Sequence, residues 1–299
     1  MKFQPSGIPW GWLYEKVKFF FVVFFLIPFC FVYHMTVTRT NLVAIYNPGP
    51  ARFWFHFFMG CFCFINTFGN AIMAILTDTS LKRITSRHAF EGGTYCEICK
   101  EYRPPKSWHC HKCKVCILRR NHHCNFISRC VGMYNQRYYL LYQAYFLIST
   151  VYSMYGFLNI VDAKCETTWD MVVTLTQMIN PFISYLLNGQ DNIVLFWNMF
   201  CLYVHMIILF WIPFVVYYHW SNALKGVTTY ESEKLSNATN SDQDPLIRNA
   251  GPSELKKNLL TIFGSRWYLA IVNPFVDSPV PEAEGGYESY QEKKTSLPS

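Results

Sequence analysis

Apolar residues in this chain gather into long runs rather than into the short periodic stripes of a soluble domain. About 20 apolar residues cross the hydrocarbon core of a bilayer, and residues 17–37, 53–76, 138–161 and 193–218 each reach that length almost without charge. Four transmembrane helices are therefore expected. The first run is too long for the apolar core of a signal peptide and no small-residue cleavage site follows it, so it is kept as an anchor. A fifth run, 171–187, is shorter and broken by Asn180-Pro181.

Positive charge orients these spans. Between Thr77 and Arg137 lie roughly a dozen Lys and Arg against few acids, whereas 38–52 and 162–192 carry little positive charge, which places the former on the cytoplasmic side. Lys2, Lys16 and Lys18 put the N-terminus, 1–16, there too. Were 171–187 a fifth span, the tail bearing Lys225, Lys234, Lys256, Lys257 and Arg266 would emerge on the opposite side, so that run is expected to be a luminal-side or re-entrant helix. The net charge of +7 is explained by this bias and by attraction to anionic lipid rather than by nucleic-acid binding. Stretches 232–255 and 277–299 are polar and poor in apolar residues, and are expected to lack a packed core. No internal repeat is evident.

Of the 12 cysteines, seven fall between residues 96 and 130 together with four histidines. On the cytosolic side they are thiols or metal ligands rather than disulfides. Cys96-x2-Cys99, His109-Cys110, Cys113, Cys116, His123 and Cys130 make eight ligands, enough for two tetrahedral zinc sites. Zinc would hold together a loop-rich stretch too small to bury a core of its own. His111 or His122 could instead be a ligand, with one cysteine a bystander.

Cys124 is the sulfur in excess. It lies two residues after His122, close to Arg119, Arg120 and Arg129 and just before the third span; nearby cations raise the thiolate fraction of a cysteine. A reactive thiol at the membrane surface suits acyl transfer, with His122 as general base and an apolar cavity between the helices. The bland alternative is a spare buried thiol.

The stretch from Tyr95 to Asn135 resembles the cysteine-rich domain of the DHHC family of protein S-acyltransferases (palmitoyltransferases). The resemblance rests on Cys96, Cys99, Arg103-Pro104, His109-Cys110, Cys113, Cys116, His122-His123-Cys124, Cys130-Val131-Gly132 and Asn135. It implies one zinc on Cys96, Cys99, His109 and Cys116 and a second on Cys110, Cys113, His123 and Cys130. It further implies that Cys124 carries the acyl group, that His122 is its base, and that Arg103 and Lys106 face the phosphates of a fatty acyl-CoA donor. Thr228-Thr229-Tyr230-Glu231 is similar to the family's Thr-Thr-x-Glu motif, and Asn258, Phe263-Gly264 and Trp267 more loosely to its C-terminal motif. The implied architecture is an all-α polytopic membrane protein with four transmembrane helices. Its cytoplasmic zinc domain, 77–137 with a core at 95–135, would lie between the second and third helices, and a cytoplasmic C-terminal region, 219–299, would follow the fourth. Expected partners are proteins with membrane-proximal cysteines, the bilayer and an accessory subunit, without nucleic acid. Golgi or endoplasmic reticulum membranes are the expected residence.

Three positions depart from the family. Asn121 stands for its aspartate, Asn125-Phe126 for its Pro-Trp, and Asp78-Thr79-Ser80 for its Asp-Pro-Gly. Asparagine can orient a histidine but cannot stabilise the imidazolium as a carboxylate does. A Cys-His-Asn arrangement suffices in papain-like proteases, whereas the same replacement in a serine triad costs about 10⁴ in turnover. The sequence therefore supports either an S-acyltransferase, slowed by Asn121 or dependent on a partner, or a zinc-stapled membrane adaptor without useful turnover. A RING-like ligase fits less well, because a closing Cys-x2-Cys is missing. Asn66, Thr67 and Asn70, with Gln143 and Ser149, are expected to face other helices rather than lipid.

Overall fold

The structure is a computed structural model that describes residues 49–83, 93–162, 167–179, 186, 193–237 and 252–276. The expected first span, 17–37, most of the tail beyond Asn237 up to 251, and 277–299 lie outside the described residues. Helix α1 runs Pro50–Leu76, α2 Gln136–Asp162, α3 Thr168–Ile179 and α4 Ile193–Leu224. Thus α1 and α2 cover the runs 53–76 and 138–161. The run 171–187 begins within α3, and α4 continues six residues past 218, so the C-terminal region begins inside it. By length and composition, Pro50–Leu76 and the Phe200–Leu224 part of α4 can cross a membrane. Short helices α5 (Thr229–Asn237), α6 (Pro252–Phe263) and α7 (Trp267–Val272) follow.

The segment expected to be loop-rich inside an all-α chain is instead six short strands: β1 Thr94–Cys96, β2 Glu101–Arg103, β3 Trp108–Cys110, β4 Val115–Ile117, β5 His122–Cys124 and β6 Arg129–Val131. They pair as three separate antiparallel hairpins. The registers Tyr95↔Tyr102, His109↔Cys116 and His123↔Cys130 are equivalent. Lys100, Lys114 and Ser128 occupy the same turn position with φ of 56°, 56° and 52°. A repeat of 14 residues therefore does exist, with Cys96, Cys110 and Cys124 as the same residue of successive copies. It is hidden in the sequence because that cysteine alone is retained in all three copies among the positions that bear ligands.

Contacts divide the chain into two units. In the unit that contains Gln143–Tyr217 and the described part of Pro28–Thr67, Thr67 Oγ1 lies 3.1 Å from Ser149 Oγ, and His56 Nδ1 2.5 Å from Tyr152 OH. Polar side chains there do join helices, as expected. The other unit holds the hairpins with Phe68–Tyr142 and the described part of Tyr218–Ser299. Asn135 is fully buried and anchors this unit: its Nδ2 donates to Ala74 O (3.0 Å) and Cys130 O (2.9 Å), and its Oδ1 accepts from Gly132 N (2.8 Å). One side chain thus ties α1, the third hairpin and the start of α2. In the Asp78-Thr79-Ser80 turn the Asp78 carboxylate accepts from Ser80 N and Oγ, while Thr79 O accepts from Leu118 N at 2.9 Å. A Cβ on Gly132 would meet Leu118 O at 2.7 Å and Thr79 Oγ1 at 2.6 Å, so only glycine permits this approach.

Candidate active site

The hairpins distribute their ligands in a chain. The first gives Cys96 and Cys99, and strand positions His109 and Cys116 of the second complete that set. Cys110 and Cys113 of the second hairpin meet His123 and Cys130 of the third. In each set the four ligand atoms lie within 4.8 Å of one another. Cys99 Sγ is 3.2 Å and Cys96 Sγ 3.9 Å from His109 Nδ1, with Cys116 3.7 Å from Cys99. In the second set Cys113, Cys110 and Cys130 sulfurs lie 3.3, 3.6 and 3.7 Å from His123 Nδ1. Tetrahedral zinc with ordinary Zn–S and Zn–N bonds sets S···S near ~3.8 Å and S···N near ~3.5 Å. The donor sets fit zinc. Crowding of the sulfurs also divides their protons unequally: the Cys130 hydrogen bond holds the Cys113 thiol down at about 4 and pushes Cys130 up. His111 is not in either set; its ring lies edge-on to His109 at 5.1 Å.

The third hairpin repeats the knuckle but not its pair of sulfurs. Where Cys99 and Cys113 stand in the first two copies, it has Ile127. Cys124, 5% exposed, and Ile127 are instead buried with Ala74, Val131, Tyr138 and Tyr139, and Met73, Ile75 and Tyr142 pack around them. The sulfur in excess thus lies in an apolar cluster at the helix ends. Tyr139 OH is the polar group that reaches it, 4.0 Å from Sγ.

His122 precedes Cys124 on the same strand. Its ring stacks on His219 of α4 (4.9 Å, 25°) and meets the Tyr139 ring edge-on (5.1 Å, 64°). Burial first, then the charges at His219, His123 and Arg120, push its pKa down to about 3. The imidazole is therefore neutral near pH 7, and the same burial disfavours its protonation. Its Nδ1 is buried without a hydrogen-bond partner among the described residues.

Asn121 does not supply that partner. Its Oδ1 accepts from Thr229 N at 2.7 Å, and its side chain is 4% exposed. The Thr228–Glu231 motif explains this contact. Thr228 N donates to Glu231 Oε2 (2.8 Å) and Glu231 N to Thr228 Oγ1 (3.2 Å), a capping box at the start of α5. Asn121 satisfies the next donor, Thr229 N, which an α-helix leaves without an internal partner. Asn258 acts at the other side of this connection: its Nδ2 donates to Leu224 O at 2.8 Å, and Gly226 turns the chain with φ 71°.

The basic residues near Cys124 are engaged elsewhere, contrary to the expected cationic surround. Arg129 Nη1 donates to Ile75 O (2.5 Å), Arg119 Nη2 to Gly226 O (3.4 Å), and the Arg120 guanidinium lies over the Tyr230 ring (5.7 Å). Arg103 donates from Nε to Thr94 Oγ1 (2.8 Å) and covers the Trp108 ring (4.8 Å), while Lys106 Nζ lies 3.6 Å from Glu231 Oε1. Asn125 accepts from Lys112 Nζ at 2.9 Å, and Phe126 is 71% exposed.

Sequence reasoning missed Tyr139 and His219. Tyr139 OH is 3.3 Å from His219 Nε2. A histidine two and a half turns before the Thr228 cap was the available signal; aromatic residues at span ends are ordinarily taken for interface anchors.

A family model described as DHHC palmitoyltransferase matches residues 89–236. The chain is 28% identical over 248 residues to the probable palmitoyltransferase ZDHHC24 of Homo sapiens, covering 80% of this chain and 82% of that protein. The protein of the same name from Rattus norvegicus is 26% identical over 255 residues, 83% of this chain and 84% of its own. Palmitoyltransferase erf2 of Schizosaccharomyces pombe is 34% identical over 84 residues, 28% of this chain and 24% of its own.

Proposed function

Because the chain belongs to the DHHC palmitoyltransferase family and is a protein S-acyltransferase, we propose that Cys124 is the thiol that carries the acyl group, with His122 as its base. The supporting observation is the sulfur left outside both four-ligand clusters, held among apolar side chains two residues after the half-buried His122. In this scheme the Cys124 sulfur attacks the thioester carbonyl of a fatty acyl-CoA as His122 takes the thiol proton. The CoA sulfur leaves and recovers that proton. A cysteine thiol of a membrane-associated protein then attacks the Cys124 thioester, giving its own proton back to Cys124. The acyl chain lies against the apolar cluster around Ile127 and Tyr142. Arg103 and Lys106 bind the CoA phosphates, Lys106 exchanging Glu231 for phosphate, and Asn121 sets the position of β5 against α5. Two zinc ions, on Cys96, Cys99, His109 and Cys116 and on Cys110, Cys113, His123 and Cys130, close the module; the reaction is left to the side chains.

The same reading has four spans, residues 17–37 among them, with the module and tail on the cytosolic side of a Golgi or endoplasmic reticulum membrane, where an accessory subunit can also dock. Purified protein incubated with labelled palmitoyl-CoA should acquire hydroxylamine-sensitive label, and Cys124→Ser should not. If wild type stays unlabelled while Asn121→Asp is labelled, the chain is an adaptor in its present form. N-glycan on Asn237, within an Asn-Ala-Thr sequon, would place the tail on the luminal side and overturn the topology.

A further inference from the structure

We propose that Tyr139 and His219 form a hydrogen-bonding arm that positions the Cys124 sulfur and the His122 ring, the task that Asn121, bonded to Thr229 N, leaves undone. The inference rests on Cys124 being the reacting thiol. Three rings pack on one another: His122 on His219 at 4.9 Å, His122 on Tyr139 at 5.1 Å, and Tyr139 on His219 at 5.1 Å and 86°. No hydrogen bond among the described residues fixes His122 Nδ1, so the stack itself sets the plane of that imidazole. The Tyr139 hydroxyl lies between two polar atoms, 3.3 Å from His219 Nε2 and 4.0 Å from Cys124 Sγ.

A phenol hydroxyl can accept one hydrogen bond while donating another. In the resting thiol the Cys124 S–H donates to the Tyr139 oxygen; once that proton has left, and with the proton of His219 on Nε2, the imidazole donates to the Tyr139 oxygen and the Tyr139 O–H turns to the sulfur. Two neutral donors in series then end on the atom that becomes negative as the nucleophile forms. A donor fixed in a site closed to water favours the charged form of its acceptor without reorganisation. The sulfur contact is long for a hydrogen bond, and such contacts shorten once substrate is bound. Tyr139 and His219 are positioning residues here: Tyr139 meets the nucleophile and His219 acts through Tyr139 and His122.

The test uses full-length, zinc-loaded protein in detergent and measures, for palmitoyl-CoA, the maximal rate of Cys124 labelling and the KM separately. Tyr139→Phe keeps the ring and loses only the hydroxyl; the maximal rate should fall about 10- to 100-fold with KM within twofold. His219→Leu should show the same pattern, His219→Gln, which retains an N–H of similar reach, should recover most of the rate, and the Tyr139→Phe/His219→Leu double variant should be no slower than the slower single. A wild-type rate in Tyr139→Phe, a change confined to KM, or an additive double variant would overturn the arm. Zinc content confirms that each variant is folded. If His219→Leu loses zinc, Tyr139→Phe and His219→Gln decide alone. If wild type takes no label, the acyl-carrier reading fails separately, and the arm is judged by the rate at which an uncharged maleimide modifies Cys124: slower in Tyr139→Phe sustains it, unchanged overturns it.

Discussion

Replacing Asn121 by leucine isolates what its amide oxygen does. Leucine fills a similar volume and keeps the backbone bond from residue 121 N to Val131 O, 2.9 Å in the present structure. It removes the acceptor 2.7 Å from Thr229 N at a position 4% exposed. Water cannot readily take the vacated place, so a buried donor is left unpaired at about 1–3 kcal/mol. Local opening of α5 then needs that much less free energy. Amide exchange across the first turn of α5 should accelerate about 5- to 150-fold, while the zinc-closed hairpins exchange as before. Asn121→Asp keeps an acceptor and adds negative charge at a helix N-terminus, worth about 0.3–1 kcal/mol, so exchange there should slow. Hydrogen–deuterium exchange with mass spectrometry on the zinc-loaded protein, following a peptide that covers residues 226–234, measures both changes. Wild-type exchange in the leucine variant would refute the capping role of Asn121, and faster exchange in the aspartate variant would refute the dipole argument.

Stripping zinc with a strong chelator should unfold the hairpins and abolish labelling of Cys124, with two ions released per chain; persistence of β structure by circular dichroism would contradict zinc as the closure. Gly132→Ala forces a methyl against Leu118 O and Thr79 Oγ1 and should cost about 1–3 kcal/mol, read as a lower melting temperature in detergent. Asn135→Leu removes three hydrogen bonds and leaves Gly132 N and two carbonyls buried; a loss of at least about 3 kcal/mol is expected, and unchanged melting would contradict its anchoring role. Lys114→Gly relieves a left-handed φ of 56° and should stabilise by a few tenths to about 1 kcal/mol, slowing zinc transfer to a competing chelator; faster transfer would contradict the strain.

Hydropathy located α1 and α2 to within three residues at each end because an unbroken run of apolar residues without Pro or Gly-Pro breaks continues as one helix. It placed the end of α4 too early because polar His219, Ser221 and Asn222 continue the helix, His219 packing on His122 and Tyr139 and Asn222 being buried. Cysteine spacing picked out the eight residues that the structure gathers into two four-atom clusters, since Cys-x2-Cys and His-Cys pairs are local. The 14-residue repeat escaped detection because each copy uses its positions differently: Tyr95, His109 and His123 share one place on the strand but only the histidines are ligands. Asn121 was legible as a departure and not in its contact, because Thr229 lies 108 residues further on. Lys106 was legible as a cation, but its pairing with Glu231 depends on how α5 packs against the hairpins. Such long-range partners are set by packing, and no local pattern carries them.

The three hairpins show how narrow the step is between gripping a metal and reacting with a substrate. One backbone frame presents a sulfur in the same way at Cys96, Cys110 and Cys124; in two copies a second sulfur three residues later joins it in a four-atom cluster fit for a cation, and in the third an isoleucine stands there. Deprived of company, the third sulfur stands outside both clusters, while His123 and Cys130 on its own two strands belong to the neighbouring one. If Cys124 is the acyl-bearing thiol proposed above, its reactivity is that of a cluster position made vacant inside a frame that its siblings repeat.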